Sequence, residues 1–259
     1  MALKYLFIIL TFYSLFSGCT NTQKEGEIKV KYIAHSCFII SDNEKSILID
    51  PFASKEWIGY DFPSNIKADL VLISHPHYDH DGGRFLGEKP YWEDSVKIHE
   101  NLGEYEIGAF NVRGIKGKHS DPYGKEFGQK NIIWKVEVSG INFVHLGDNG
   151  PLTDLNYQEL GSVDVLMIPI DGKYHILKQN EIQKIISKLQ PKIIIPMHYR
   201  IPELEEENKP DDLGEIEPYL ENLPNVVRLE NNEYLVSKEN WKETSFYLKM
   251  GVSSKLVKQ

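Results

Sequence analysis

Apolar and polar positions follow two rhythms along this chain. Near its start "IKVKYIA" (28–34) alternates, "CFIIS" (37–41) follows at once, and "SILIDPF" (46–52) is a nearly unbroken apolar run closed by Asp50 and Pro51. Alternation and short apolar runs bounded by turn residues predict paired strands over 28–50. "ADLVLISH" (68–75) predicts another buried strand, and Gly82-Gly83 punctuates the start of a short helix. Residues 96–115 read as two short strands, and the polar, glycine-containing stretch 116–130 reads as a long loop. "NIIWKVEVSGINFVHLGD" (131–148) predicts a hairpin turning at Ser139-Gly140, and "VDVLMIPI" (163–170) a buried strand. The rhythm then changes. Ile182, Ile185, Ile186 and Leu189 fall on one face of a helix, which Pro191 ends, and "KIIIPMH" (192–198) returns to strand. Residues 203–215 are polar and acidic, a solvated loop, followed by a helix near 214–222 and strands near 226–237. Strands first and then alternating strand and helix predict two sheets with helices outside them, an α+β fold. No internal repeat or boundary interrupts residues 28–237, which read as one domain, with 238–259 as a C-terminal extension.

The first residues break this pattern. Tyr5–Phe16 is an apolar run preceded by the lone basic Lys4 and followed by Ser17, Gly18 and Cys19. A transmembrane helix needs about 20 apolar residues, so residues 1–18 read as a secretory signal peptide. Apolar residues ending in Ser-Gly-Cys resemble the bacterial lipobox, which implies a lipidated Cys19 followed by a polar tether to residue 27. The expected location is the bacterial cell envelope, facing the periplasm or the exterior. Removing Lys4 with the leader takes the formal net charge from −9 to −10. That balance, with Lys and Arg scattered, excludes a basic footprint for nucleic acid. With Cys19 acylated, Cys37 is the only thiol left, so the fold carries no disulfide.

"SHPHYDHDGG" (74–83) concentrates the candidate chemistry, with His75, His77, Asp79 and His80 inside six positions. Side chains two apart in an extended segment project to one side, so His75 and His77 can grip one cation. Asp79 and His80 lie beyond a turn and can face a second. Imidazoles and carboxylates without thiolates suit zinc, manganese or iron.

His-x-His-x-Asp-His resembles the signature of the metallo-β-lactamase superfamily, and other landmarks follow in that family's order: Asp50 closing a strand, the isolated His119, Asp148 in "HLGD" and His198 in "IPMHY". The resemblance spans roughly residues 28–230. It implies a four-layer αββα sandwich and two divalent cations, zinc first and manganese or iron as alternatives. It also implies His75, His77 and His119 on one cation, Asp79, His80 and His198 on the other, and Asp148 bridging. "AHSCFII", "LGD", "IPIDGKY" and "IPMHY" look most like the branch containing ascorbate-6-phosphate lactonase and N-acylphosphatidylethanolamine phospholipase D. His175, where that branch has Thr, and Asn149 depart from its pattern around the pocket.

Candidate catalytic residues are Asp79, Asp50 and His35. Asp50 is expected to orient a liganding histidine through a hydrogen bond. His35 and His145 each read either as supports of the site or as satisfied core residues. Asp171, Gly172 and Tyr174 are candidate pocket residues, His99 a surface strand residue, and Cys37 a small buried hydrophobe. The expected activity is metal-dependent hydrolysis of an ester, lactone or phosphodiester by a hydroxide activated between two cations. The expected substrate is a small or lipid-like molecule, and a lipidated Cys19 is expected to attach the enzyme to a membrane. A β-lactam hydrolase and a non-catalytic metal-binding lipoprotein are the alternatives.

Overall fold

Each of the seven expected metal ligands follows the carboxyl end of a strand. The computed structural model describes residue 24 and residues 26–256, apart from 54–56, 121, 123, 203–212, 243 and 254. The expected signal peptide, Cys19, residues 20–23 and 25 of the tether and residues 203–212 of the acidic loop lie outside the described residues.

In chain order the strands are β1 (Ile28–Ala34), β2 (Cys37–Ser41), β3 (Ser46–Ile49), β4 (Leu70–Leu72), β5 (Lys97–His99), β6 (Gly103–Ile107), β7 (Phe110–Lys118), β8 (Lys130–Val138), β9 (Ile141–His145), β10 (Val165–Pro169), β11 (Ile193–Met197), β12 (Val226–Arg228), β13 (Glu233–Val236) and β14 (Phe246–Lys249). The helices are α1 (Tyr78–Asp81), α2 (Asp154–Leu160), α3 (Gln179–Leu189) and α4 (Glu217–Leu220). One sheet has the order β13-β1-β2-β3-β4-β5, the other β12-β14-β11-β10-β9-β8-β7-β6. Their apolar faces join one core containing Phe38, Leu48 and Val71 from the first sheet and Trp134, Phe143 and Ile195 from the second. The result is the α+β sandwich that the sequence predicts.

Strand direction explains how the site forms. β1, β3 and β4 run the same way, because β2 pairs antiparallel with both β1 and β3 while β3 and β4 are parallel. In the second sheet β7, β9, β10 and β11 also share one direction. The segments that follow these seven strands carry His35, Asp50, His75 to His80, His119, Asp148, Asp171 and His198. Loops beyond the carboxyl ends of parallel strands form a crevice over the sheet edge. Two backbone hydrogen bonds stitch the sheets together there, from Ile132 N–H to the Ser74 carbonyl (2.9 Å) and from His198 N–H to the His35 carbonyl (2.9 Å).

The structure follows most of the sequence pattern. The β8–β9 turn places Ser139 (φ 51°) and Gly140 (φ 68°) in the left-handed region, as a two-residue hairpin loop demands. In α3, Ile182, Ile185 and Leu189 are buried and the helix stops before Pro191. Other elements differ. Residues 96–115 hold three strands rather than two, and β7 continues to Lys118 into the expected loop. The buried strand expected over 68–75 shortens to β4; Ile73 still donates to the His99 carbonyl, and the chain then turns at Ser74 and His75 into the crevice. Helix α1 precedes Gly82-Gly83, and only a short 3₁₀ turn (Arg84–Leu86) follows the pair. Helix α2, absent from the sequence reading, starts at a capping box in which Thr153 and Asn156 satisfy each other's backbone N–H. The segment after 237, expected as an extension, supplies β14, which lies between β12 and β11 inside the second sheet. Phe246 and Leu248 on it are buried, which fixes it there.

Candidate metal centre

The site begins with β4. Beyond Leu72 the chain carries Ser74, whose backbone N–H and hydroxyl both donate to the Asp50 carboxylate, at 2.8 and 2.6 Å. A carboxylate only accepts, so the Ser74 hydroxyl proton is committed to Asp50. The same hydroxyl oxygen lies 2.9 Å from His75 Nδ1 and therefore accepts its N–H. His80 Nδ1 donates to Asp50 Oδ2 at 2.8 Å. Asp50 thus orients two imidazoles, one directly and one through Ser74. Each is left with a lone pair on Nε2. All four residues are almost fully buried, so these protons have no competing water.

The bare lone pairs converge. His75 Nε2 lies 3.0 Å from His77 Nδ1, and His119 Nε2 lies 3.5 Å from Asp148 Oδ2. His80 Nε2 is 3.4 Å from both Asp79 Oδ2 and Asp148 Oδ1, and His198 Nε2 is 3.1 Å from Asp148 Oδ2. Two groups result. His75, His77, His119 and Asp148 form one; His35, Asp79, His80 and His198 form the other, and within each group the donor atoms lie within 4.8 Å of one another. Bonds of about 2.0–2.1 Å to one cation set neighbouring donors roughly 2.9–3.4 Å apart at right or tetrahedral angles. The observed spacings of 3.0–3.5 Å lie in or just above that range. Nε2 of His80, His119 and His198 and Oδ1 of Asp148 are buried without a hydrogen-bond partner. Orphaned buried polar atoms are costly, and a cation in each group, with Asp148 facing both, would satisfy all of them, so the residues fit the metals that the sequence pattern implies.

Without a cation the cluster holds protons: burial pushes His80 and His198 down, but Asp148 and Asp79 outweigh it and hold His80 well above and His198 above the ordinary imidazole value, so a cation would bind by displacing those protons. Burial drives the Asp148 and Asp79 carboxyls upward, but His198 and His80 around Asp148, and His80 and His35 around Asp79, outweigh it and hold both well below the usual carboxylate range. His75, by contrast, is held well below the ordinary imidazole value by burial and then by His80. Burial and His198 lower His35 to about 4, so it is neutral at pH 7.

The backbone is shaped for this purpose. His35 (φ 54°), Asp50 (φ 46°) and His198 (φ 61°) all occupy the left-handed region, a conformation that costs a non-glycine residue about 1–2 kcal/mol. Gly147 (φ 55°) precedes Asp148, where an added Cβ would meet Ser74 Cβ at 2.7 Å and collide with Asn131 Oδ1. Asn131 in turn accepts the Asp148 N–H at 3.1 Å and fixes its turn.

The remaining expectations separate cleanly. All seven expected ligands converge, with the His119 ring centroid 4.7 Å from that of His75 and the His198 centroid 5.7 Å from that of His80. His145 supports the fold instead: Nε2 donates to the Ser36 carbonyl at 2.8 Å and Nδ1 accepts the Gly147 N–H at 3.1 Å. Asp171 accepts the N–H groups of Lys173, His175 and Gly214. It thereby holds the turn that stacks His175 on His198 at 5.5 Å. Trp57 lies beside His35, His175 and His198, and Phe127 packs on His77 at 4.9 Å. The sequence reading singled out neither aromatic, because only the fold brings them to the crevice. His99 stacks on Tyr105, and Cys37 is buried.

Comparison with known proteins gives the family. The family model described as "Beta-lactamase superfamily domain" matches residues 29–198. A UPF0173 metal-dependent hydrolase of Thermococcus kodakarensis is 28% identical over 193 residues, covering 66% of this chain and 84% of that one. One from Pyrococcus furiosus is 28% identical over 194 residues, with the same coverage. Among solved structures, a Thermotoga maritima protein assigned to the Zn-dependent hydrolases of the metallo-β-lactamase superfamily aligns with a TM-score of 0.64 and 26% identity, over 87% of this chain and 100% of that one.

Proposed function

Because the chain belongs to the beta-lactamase superfamily domain family, we propose that it cleaves an ester, lactone or phosphodiester with two divalent cations, held by His75, His77 and His119 on one side and by Asp79, His80 and His198 on the other. It is a metal-dependent hydrolase, like the relatives that its sequence and fold match. The observation that carries the two-cation reading is the position of Asp148, whose carboxylate lies within 3.9 Å of His75, His80, His119 and His198 and so faces both groups. Bound cations of this kind supply Lewis acidity and a water acidic enough to ionise near neutral pH.

The protein's own contribution is orientation and dryness. Asp50 and Ser74 hold His80 and His75 in the tautomer that bares Nε2. Asp148 fixes the separation of the two groups. Trp57 and His175 form one wall of the crevice, and Phe127 lies against His77 at the other end. Zinc suits the imidazole and carboxylate donors best, and manganese or iron also fits. Within the superfamily we place the chain with the lactonase-like and phospholipase D-like branch, on the segments around His35, Asp148, Asp171 and His198.

The test is metal content by mass spectrometry, together with hydrolysis of bis(p-nitrophenyl) phosphate, lactones, p-nitrophenyl esters and a β-lactam. Two equivalents of metal with chelator-sensitive cleavage of the first three classes is the expected result. Turnover of the β-lactam alone would make the protein a β-lactam hydrolase, and bound metal without turnover would make it a metal carrier. We also propose that Cys19 is lipidated and holds the enzyme on the cell envelope, since an apolar run too short to span is followed by Ser-Gly-Cys. Cys19→Ser should then move the enzyme to the soluble fraction with its hydrolysis intact. Retention of the variant in the membrane fraction, with no lipid mass on the wild-type N-terminal peptide, refutes the anchor.

A further inference from the structure

We infer that His35 supplies a further donor to the buried half of this centre, so that the two cation positions are unequal. His35, Asp79, His80 and His198, with Asp148, enclose one position, and the position at His75, His77 and His119 is the one open to substrate. The inference rests on the two-cation reading above and assigns His35 a role that the motif does not give it.

Three observations carry it. His35 Nε2 lies 2.9 Å from Asp79 Oδ2, and its donor atom belongs to the same four-residue group as Asp79, His80 and His198. The ring is fully buried and packs 4.2 Å from the His198 ring and 5.5 Å from the His80 ring, with the edge of Trp57 behind it. Its backbone is clamped as well: the Tyr32 hydroxyl and the His198 N–H both donate to the His35 carbonyl, at 3.0 and 2.9 Å, while φ stands at 54°.

His145 provides the contrast. An imidazole kept for structure has both nitrogens engaged by backbone, as His145 does. His35 instead aims Nε2 at the ligand cluster, and its Nδ1 is buried without a partner, as is Nδ1 of the expected ligand His198. A hydrogen bond to Asp79 alone would use the ring less fully than its burial and strained backbone warrant.

The asymmetry follows from burial. Every member of the His35 group is buried, whereas His77 in the other group is only partly buried. Closed donor sets retain metal, and open ones leave a position for water or substrate.

Cobalt(II) titration of the metal-free enzyme tests this without reference to turnover. Wild type should take two equivalents with distinct affinities. His35→Gln keeps a hydrogen-bond donor but loses the imidazole, and should weaken the tighter equivalent by more than about 100-fold, beyond the 10–100-fold that loss of an orienting partner costs. It should also change the visible cobalt bands. His35→Cys should restore tight binding and add a thiolate-to-cobalt charge-transfer band that wild type lacks. Binding by His35→Gln within tenfold of wild type with an unchanged spectrum, or His35→Cys without the new band, overturns the inference. A wild type that takes only one equivalent defeats the two-cation reading separately, and His35 then stands or falls on whether His35→Gln loses that equivalent. Should circular dichroism show His35→Gln unfolded, the His35→Cys spectrum decides.

Discussion

Ser74→Ala removes one oxygen atom, and its cost can be worked out bond by bond. The hydroxyl donates to Asp50 at 2.6 Å and accepts the His75 Nδ1–H at 2.9 Å, with Ser74 fully buried. A buried hydrogen bond to a charged group is worth about 1.5–3 kcal/mol, and a buried N–H left without a partner costs about 1–3 kcal/mol. Asp50 keeps its bonds from the Ser74 N–H and from His80, both at 2.8 Å, so its charge is not stranded. The net loss should therefore be about 3 kcal/mol of stability in the metal-free protein, read by urea denaturation at pH 7. The metal effect should be selective. His75 loses its orienting partner, so the cation at His75, His77 and His119 should bind about 10–100-fold more weakly. The other position should change little, because His80 reaches Asp50 directly. Asp50→Asn should disturb both positions, since an amide N–H₂ cannot accept from His80 and Ser74 together. The two substitutions act through one carboxylate, so their stability effects should be non-additive by about 1 kcal/mol or more. A stability loss under about 0.5 kcal/mol for Ser74→Ala, or additivity of the pair, refutes the Asp50–Ser74–His75 chain.

Asp148→Ala should cost more activity than Asp50→Asn, because Asp148 faces both donor groups while Asp50 acts through His80 and Ser74. Equal losses of kcat/KM with metal retained in both variants would contradict this. Gly124 has φ 72°, and a Cβ there would stand 2.6 Å from His119 Cγ. Gly124→Ala should therefore displace His119 and lower occupancy of its cation at least tenfold, read by titration, and an unchanged isotherm would show that His119 is not held by this loop. Burial holds His145 below its ordinary value of 6.5. Its contribution is present above pH 6.5 and is lost as pH falls through the lower folded value, by at most about 1.4 kcal/mol per pH unit. Without that titration, the stability deficit of His145→Gln relative to wild type should shrink on acidification below pH 6.5. A deficit that grows would mean His145 is charged in the fold.

The sequence by itself determined the chemistry of the centre and the strands that carry it. Alternation over 28–50 and the apolar runs at 163–170 and 192–198 predict strands because burial of one or both faces leaves that signature in local order. The segment 75–80 identifies its metal chemistry because its ligands are adjacent in the chain. Tertiary structure alone decided what lies around that segment. Ser74 is an unremarkable residue in sequence, and it becomes a hydrogen-bond link only because β3 and β4 are parallel neighbours that put Asp50 beside it. β14 was unreadable because its place depends on pairing with β11 and β12, distant in the chain. His35 and His145 look alike as single residues at strand ends. The sheet-to-sheet seam gives His145 the Ser36 carbonyl, its own turn adds the Gly147 N–H, and a seam bond from the His198 N–H clamps His35 beside Asp79. Local pattern encodes burial and ligand type, and only the joining of two sheets sets which lone pairs converge.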